Sequence, residues 1–139
     1  VKSILENIDL ALAESDFESE YGVPESVVER YSCGECMWLA LALNRRFGWK
    51  IRAQMQRDKK HGDYVAHAYV VHPSGQEIDI LGPQDHVDVF ASDTQDWRAQ
   101  DLIDFLDVEP SKVRRQIRDA EKTMNRYVIP KLRSKGLIE

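Results

Sequence analysis

Tyr31-Ser-Cys-Gly-Glu-Cys-Met-Trp-Leu-Ala-Leu-Ala-Leu43 joins a short polar approach containing both cysteines of the chain to an apolar run that meets no polar side chain until Asn44. A helix that is apolar on every side belongs in the middle of a domain. The spacing predicts such a helix from about Cys36 to Phe47, stopped by Gly48. Cys36 then falls in its first turn, where the helix dipole stabilises a thiolate.

Upstream, Ile4, Ile8, Ala11, Leu12 and Phe17 recur at roughly helical spacing, so residues 2–20 are read as an amphipathic helix ended by Tyr21-Gly22. Val23-Pro24-Glu25-Ser26 opens a short second helix to about Arg30, and Ser32 to Glu35 are expected to form a turn. Downstream of Gly48 the period changes. Ile51, Ala53 and Met55 alternate with Arg52, Gln54 and Gln56, the pattern of a half-buried strand. Two more strands are expected over about 64–71 and 76–81, with His72-Pro-Ser-Gly75 as the hairpin between them.

Residues 83–94 read as irregular, with a short strand at Val87–Phe90. A helix is expected from Gln95 to Leu106 and a long one from Pro110, carrying Val113, Ile117, Ala120, Met124, Tyr127 and Val128 on one face, with Pro130 kinking it or ending its regular part. Together these elements make one α+β domain, residues 1–139: a buried central helix packed on a small antiparallel sheet, flanked by N- and C-terminal helices. Its catalytic-like core spans about residues 23–90 and its C-terminal helical extension about 95–136. Trp38 and Trp49 are expected in the core, Trp97 between the following helix and the sheet, and His72 and His86 at the surface.

A length of 139 residues and 42% hydrophobic composition suit a single core without staples. The net charge of −5, with no long basic run, argues against nucleic acid as the partner. The basic cluster Lys112, Arg114, Arg115, Arg118 is followed by Asp119 and Glu121 and reads as a solvated helix face. No apolar stretch reaches the roughly 18 residues of a membrane span. The opening residues do not read as a signal peptide, and two cysteines make no disulfide framework, so a cytoplasmic setting is expected, with export as an effector by another route the alternative.

Cysteine, histidine and aspartate occur in order: Cys36, His67 in a strand-like run, and Asp79 in the next. Thiolate chemistry needs an imidazole to move the proton and a carboxylate to fix the ring's tautomer and orientation. If Pro73-Ser74-Gly75 is the hairpin loop, with Gly75 left-handed, His72 faces Gln76 and Asp79 falls opposite Tyr69. His67 is then the diagonal neighbour of Asp79 on the same face, about 7–8 Å away. A four-residue loop would put the two on opposite faces.

Cys36-x3-Ala40-x-Ala42-Leu43, Gly48-Trp49, His67-x-Tyr69-Val70, Pro73-x-Gly75 and Asp79-x-x-Gly82 resemble the papain-like and transglutaminase-like cysteine hydrolase superfamily, in particular small uncharacterised bacterial and phage proteins of that kind. The resemblance covers about residues 31–82. It implies Cys36 as nucleophile, His67 as base and Asp79 as orienting acid, with a thioester intermediate. Peptidase, deamidase, transglutaminase and amidase all use that chemistry. The glutamine that builds the papain oxyanion hole has no counterpart among Arg30, Tyr31 and Ser32, so backbone N–H groups near Cys36 are the expected donors. Glu35, Gln54 and Gln56 are candidate oxyanion or substrate contacts.

Cys33 is the alternative nucleophile, because its distance to Gly48 is closer to the transglutaminase spacing. A protein or peptide substrate is expected, with no cofactor and no metal. Two other readings stay open. One is a non-catalytic binding or regulatory module of the same fold. The other is a Cys-x-x-Cys redox or zinc protein, in which His61 and His67 would complete a zinc site.

Overall fold

A computed structural model of the chain describes residues 22–88 and 93–139. The amphipathic segment expected over residues 2–20, and the end of the strand expected at Val87–Phe90, lie outside the described residues.

The described chain begins with α1, Glu25–Glu29, entered through Pro24, whose carbonyl accepts the N–H groups of Val27 and Val28. The expected turn over Ser32–Glu35 is corrected. Helical winding continues as a wider π-helical turn over Arg30–Gly34, closed by the Glu35 N–H to the Arg30 carbonyl at 3.0 Å. Only Glu35 leaves helical geometry, at φ −129° and ψ 19°. Such π segments insert a residue into the winding and re-aim the chain beyond them.

The helix aimed in this way is α2, Cys36–Phe47, with the bounds read from the sequence. Cys36, Trp38, Leu39, Ala40, Leu41, Ala42 and Leu43 are all buried, which the absence of a polar face requires. Gly48 closes the helix in the left-handed conformation, at φ 77°.

The sheet comprises β1 (Lys50–Asp58), β2 (Gly62–Val71), β3 (Glu77–Asp79), β4 (Gly82–Gln84) and β5 (Asp93–Trp97). Its order is β4-β3-β2-β1-β5, with every neighbouring pair antiparallel. The hairpin from β2 to β3 has the three-residue loop: the His72 N–H donates to the Gln76 carbonyl at 2.9 Å, Val71 faces Glu77, and Gly75 is left-handed at φ 94°. The strand expected to reach Leu81 stops at Asp79. Ile80 and Leu81 form a tight turn instead, stabilised by the Leu81 N–H donating to Asp79 Oδ1 at 2.9 Å. Beyond β4, residues 85–88 are irregular, so the described start of the strand expected at Val87–Phe90 is not strand.

The helix expected from Gln95 is a second correction. Residues Asp93–Trp97 pair with β1 as an edge strand, and α3 runs from Ala99 to Leu106. The β1 edge takes it up over five residues, and cross-strand charges fit the pairing: Arg52 meets Asp96 at 2.8 Å and Lys50 meets the same carboxylate at 3.5 Å.

α4, Pro110–Thr123, packs on α2 opposite the sheet and buries Val113, Ile117 and Ala120. The regular part of the helix ends ahead of Pro130, and helical winding then resumes beyond it. A π segment at Met124–Val128 precedes α5, Ile129–Ser134, because Pro130 lacks an N–H and its ring would press on the carbonyl four residues back. Trp38 is buried, Trp49 stacks on Phe47 at 4.3 Å, and Trp97 meets Phe105 at 5.0 Å. His86 is exposed, whereas His72 is half-buried: its Nδ1 accepts from the Ser74 N–H and its Nε2 donates to the Leu137 carbonyl, tying the C-terminal end to the hairpin. No helix among the described residues is long and apolar enough to cross a membrane.

Candidate active site

Cys36, His67 and Asp79 come from α2, β2 and β3, and the fold brings them together. The three-residue hairpin loop sets the register that puts His67 and Asp79 on one face, and His67 Nε2 lies 2.9 Å from Asp79 Oδ2. β2 and β3 pair only at Val70–Ile78 and Val71–Glu77. Past those pairs the β2 edge is open, and the Ala68 N–H donates to the Cys36 sulfur at 3.3 Å instead. The first turn of α2 is thereby pinned to the strand that carries the histidine.

With Nε2 given to Asp79, the buried Nδ1 is the ring nitrogen left to face Cys36. Burial works against a charged imidazole. Hydrogen bonds to Asp79 and Cys36, and then the charges of the same two groups, outweigh it and push the His67 pKa from 6.5 up to about 10. The ring therefore keeps its proton through neutral pH, between a sulfur and a carboxylate. Cys36 is 1% exposed, His67 3% and Asp79 6%, so the whole arrangement sits at the core.

Asp79 is itself fixed. Its second oxygen, Oδ1, accepts from the Leu81 N–H and from Gln84 Nε2 at 2.7 Å. Gln84 is not apparent from the sequence, because Gly82-Pro83 reads as the end of a strand. A second hairpin, with Asp79 paired to Gly82, carries it back toward the carboxylate. Behind this turn stands α5: Lys131 Nζ donates to the Leu81 carbonyl at 3.4 Å. Burial lowers the Lys131 pKa, and the nearby Asp79 charge works the other way. Ser32, His67, Asp79, Leu81, Gln84 and Asp88 line a small cavity of about 60 Å³ on this side of the site.

The remaining candidates fall elsewhere. Glu35 is held by Arg30 at 3.1 Å. Gln54 is cross-strand from His67 and 1% exposed, but its Nε2 donates to the Asp88 carbonyl at 2.7 Å and it also hydrogen-bonds Tyr69. Gln56 faces Tyr64 beyond a bulge in the pairing, half-buried and outside the cavity lining. Cys33 lies in the π-helical turn, one turn before Cys36. Cys36 is a free thiol. His61 occupies the exposed turn between β1 and β2, bonded to Asp58 at 2.9 Å. Among the described residues no three His, Cys, Asp or Glu side chains cluster as metal ligands would.

Searches of protein-family models, of curated proteins and of solved structures returned no match to this chain.

Proposed function

We propose that this protein is a cysteine-dependent hydrolase or acyltransferase acting on an amide or ester carbonyl of a protein or peptide. The observation that carries the proposal is geometric: His67 Nε2 lies 2.9 Å from Asp79 Oδ2, and the Cys36 sulfur is bound at 3.3 Å by the N–H of Ala68, the residue next to His67. Cys36, as thiolate, attacks the carbonyl carbon. The oxyanion takes hydrogen bonds from backbone N–H groups at the start of α2, favoured there by the helix dipole. The tetrahedral adduct collapses as His67 passes its proton to the leaving amine or alcohol, which leaves a thioester on Cys36. Water or an acceptor amine then attacks the thioester while His67 takes the incoming proton, and the sulfur is released. Asp79 holds the ring in the tautomer that each transfer needs. Such a thiol works in a reducing compartment, in keeping with a cytoplasmic location.

A second reading, a non-catalytic module of the same fold, is favoured by the burial of all three side chains. Iodoacetamide at about pH 6 separates the two, because an ordinary thiol reacts only toward its pKa of about 8.5. Stoichiometric labelling of Cys36, absent in Cys36→Ser and suppressed in His67→Ala, is the expected result. Labelling that begins only near pH 8.5, unchanged in His67→Ala, would leave the module reading standing.

A further inference from the structure

The register puts Arg52, Gln54, His67, Tyr69, Glu77 and Asp79 on one face of the sheet. Ile51, Ala53, Ala68, Val70 and Ile78 fill the other, where α2 packs to form the apolar core. The Cys36 sulfur accepts from the Ala68 backbone N–H. Strand N–H groups point across the ladder in the plane of the sheet, so the sulfur lies level with the sheet at the open β2 edge. A carbonyl that has to meet both sulfur and imidazole is barred by α2 from one side. It must come over the polar face.

That face is covered. Residues 85–88 belong to no helix or strand, and they cross it as a strap held by two side chains of the sheet. Glu77 Oε1 accepts the Val87 N–H at 2.8 Å, and Gln54 Nε2 donates to the Asp88 carbonyl at 2.7 Å. Both anchors stand beside the site: Gln54 is the cross-strand neighbour of His67, and Glu77 lies two residues before Asp79 on β3. Arg52 Nη1 lies 3.5 Å from the other Glu77 oxygen, Oε2, which leaves Oε1 to the strap. The Val87 side chain is buried, whereas Asp85, His86 and Asp88 are exposed. Asp88 also walls the small cavity lined by His67 and Asp79. Its volume of about 60 Å³ holds a few waters and no substituted amide.

We propose that residues 85–88 are an autoinhibitory strap. Latched by Glu77 and Gln54, they close the Cys36–His67–Asp79 site, and their release opens the polar face to the acyl donor. This gating rests on the reading of Cys36 as a nucleophile, so one of its two readouts is blind to the thiol.

The first readout is amide hydrogen exchange of the full chain at Val87, with the sheet amides of Ile51 and Val70 reporting global unfolding. The second is the rate at which iodoacetamide alkylates Cys36 at about pH 6. Glu77→Leu removes the acceptor of the Val87 N–H, and Glu77→Gln keeps one in the same place. In Glu77→Leu the protection of Val87 is expected to fall at least about tenfold, the scale of a lost hydrogen bond to a charged group, while Ile51 and Val70 stay protected. Alkylation should accelerate by the same factor, and Glu77→Gln should reverse most of both changes. Val87→Gly keeps both anchors and removes the side chain seated between them. It is expected to give the same paired change, and it serves where Glu77→Leu does not fold.

A Val87 amide that exchanges only together with Ile51 and Val70 in every variant overturns the proposal whatever the thiol does, because no strap then opens by itself. Loosening of Val87 with alkylation at the wild-type rate overturns the gate and leaves Cys36 as a nucleophile. Loosening with Cys36 inert at pH 6 in every variant sinks the nucleophile reading, and the gate with it.

Discussion

Asp79 Oδ2 orients His67, while Oδ1 takes two donors of its own, the Leu81 N–H and Gln84 Nε2. The backbone donor is fixed by the turn, so Gln84 is the replaceable half of the clamp. A hydrogen bond to a charged carboxylate is worth about 1.5–3 kcal/mol. Part of that returns in Gln84→Ala as water reaches the small cavity beside it. The expected outcome is a thermal midpoint lowered by only a few degrees, with alkylation of Cys36 at about pH 6 slowed several-fold because the imidazole is held less firmly. Gln84→Glu removes the donor and adds a second carboxylate beside Asp79. It should slow alkylation at least as much as Gln84→Ala while keeping the side chain's size. If both variants alkylate at the wild-type rate, Gln84 supports the turn and not the ring.

At the scale of elements, the turn between β3 and β4 depends on α5. Gly82 has φ 93°, and a Cβ there would come within 2.9 Å of Lys131 Cδ. Gly82→Ala therefore carries both backbone strain and a clash, and about 1–3 kcal/mol is expected from the backbone alone. Lys131→Ala should relieve the clash and leave the strain. In urea melts the double variant is then expected to recover part, not all, of what Gly82→Ala loses; full recovery would mean that the glycine conformation costs nothing there.

The elements legible in the sequence are those with sharp punctuation. α2 runs from Cys36 to Phe47, stopped by Gly48, because the run is apolar on every face until Asn44, and the His72–Gln76 hairpin is fixed by one left-handed glycine. That hairpin also made the His67–Asp79 contact readable, since register alone decides whether the two share a face. β5 was not legible. Asp93-Thr-Gln-Asp-Trp97 has no apolar alternation, and it is a strand because its backbone pairs with β1 from Ile51 to Met55, with Asp96 set opposite Arg52. The π segment before Pro130 was half legible: the proline announces a defect without saying that the helix absorbs it and continues. Gln84 escaped because a two-residue hairpin at Ile80-Leu81 lacks the usual turn residues, and Asp79 itself supplies the missing bond.

For the whole molecule, a site set across the core ties stability to protonation. His67 has a folded pKa of about 10 against 6.5 when unfolded. A raised value means that the folded state binds the proton more tightly, so its contribution is complete below pH 6.5 and is lost progressively as pH rises through about 10. The loss should approach about 1.4 kcal/mol per pH unit in that window. On the acid side the sign reverses. Asp96 is held below the ordinary carboxylate value, chiefly by its hydrogen bond to Arg52, so its smaller contribution is present above about pH 4 and fades as pH falls further. Urea melts across the pH range should therefore show greatest stability between about pH 4 and 6.5, with a steep alkaline limb. In His67→Gln that limb is expected to flatten, while the acid limb, which belongs to a different strand pair, keeps its shape. An alkaline limb of unchanged slope in His67→Gln would assign the lost stability to another group and take away the charged imidazole on which the proposed chemistry stands.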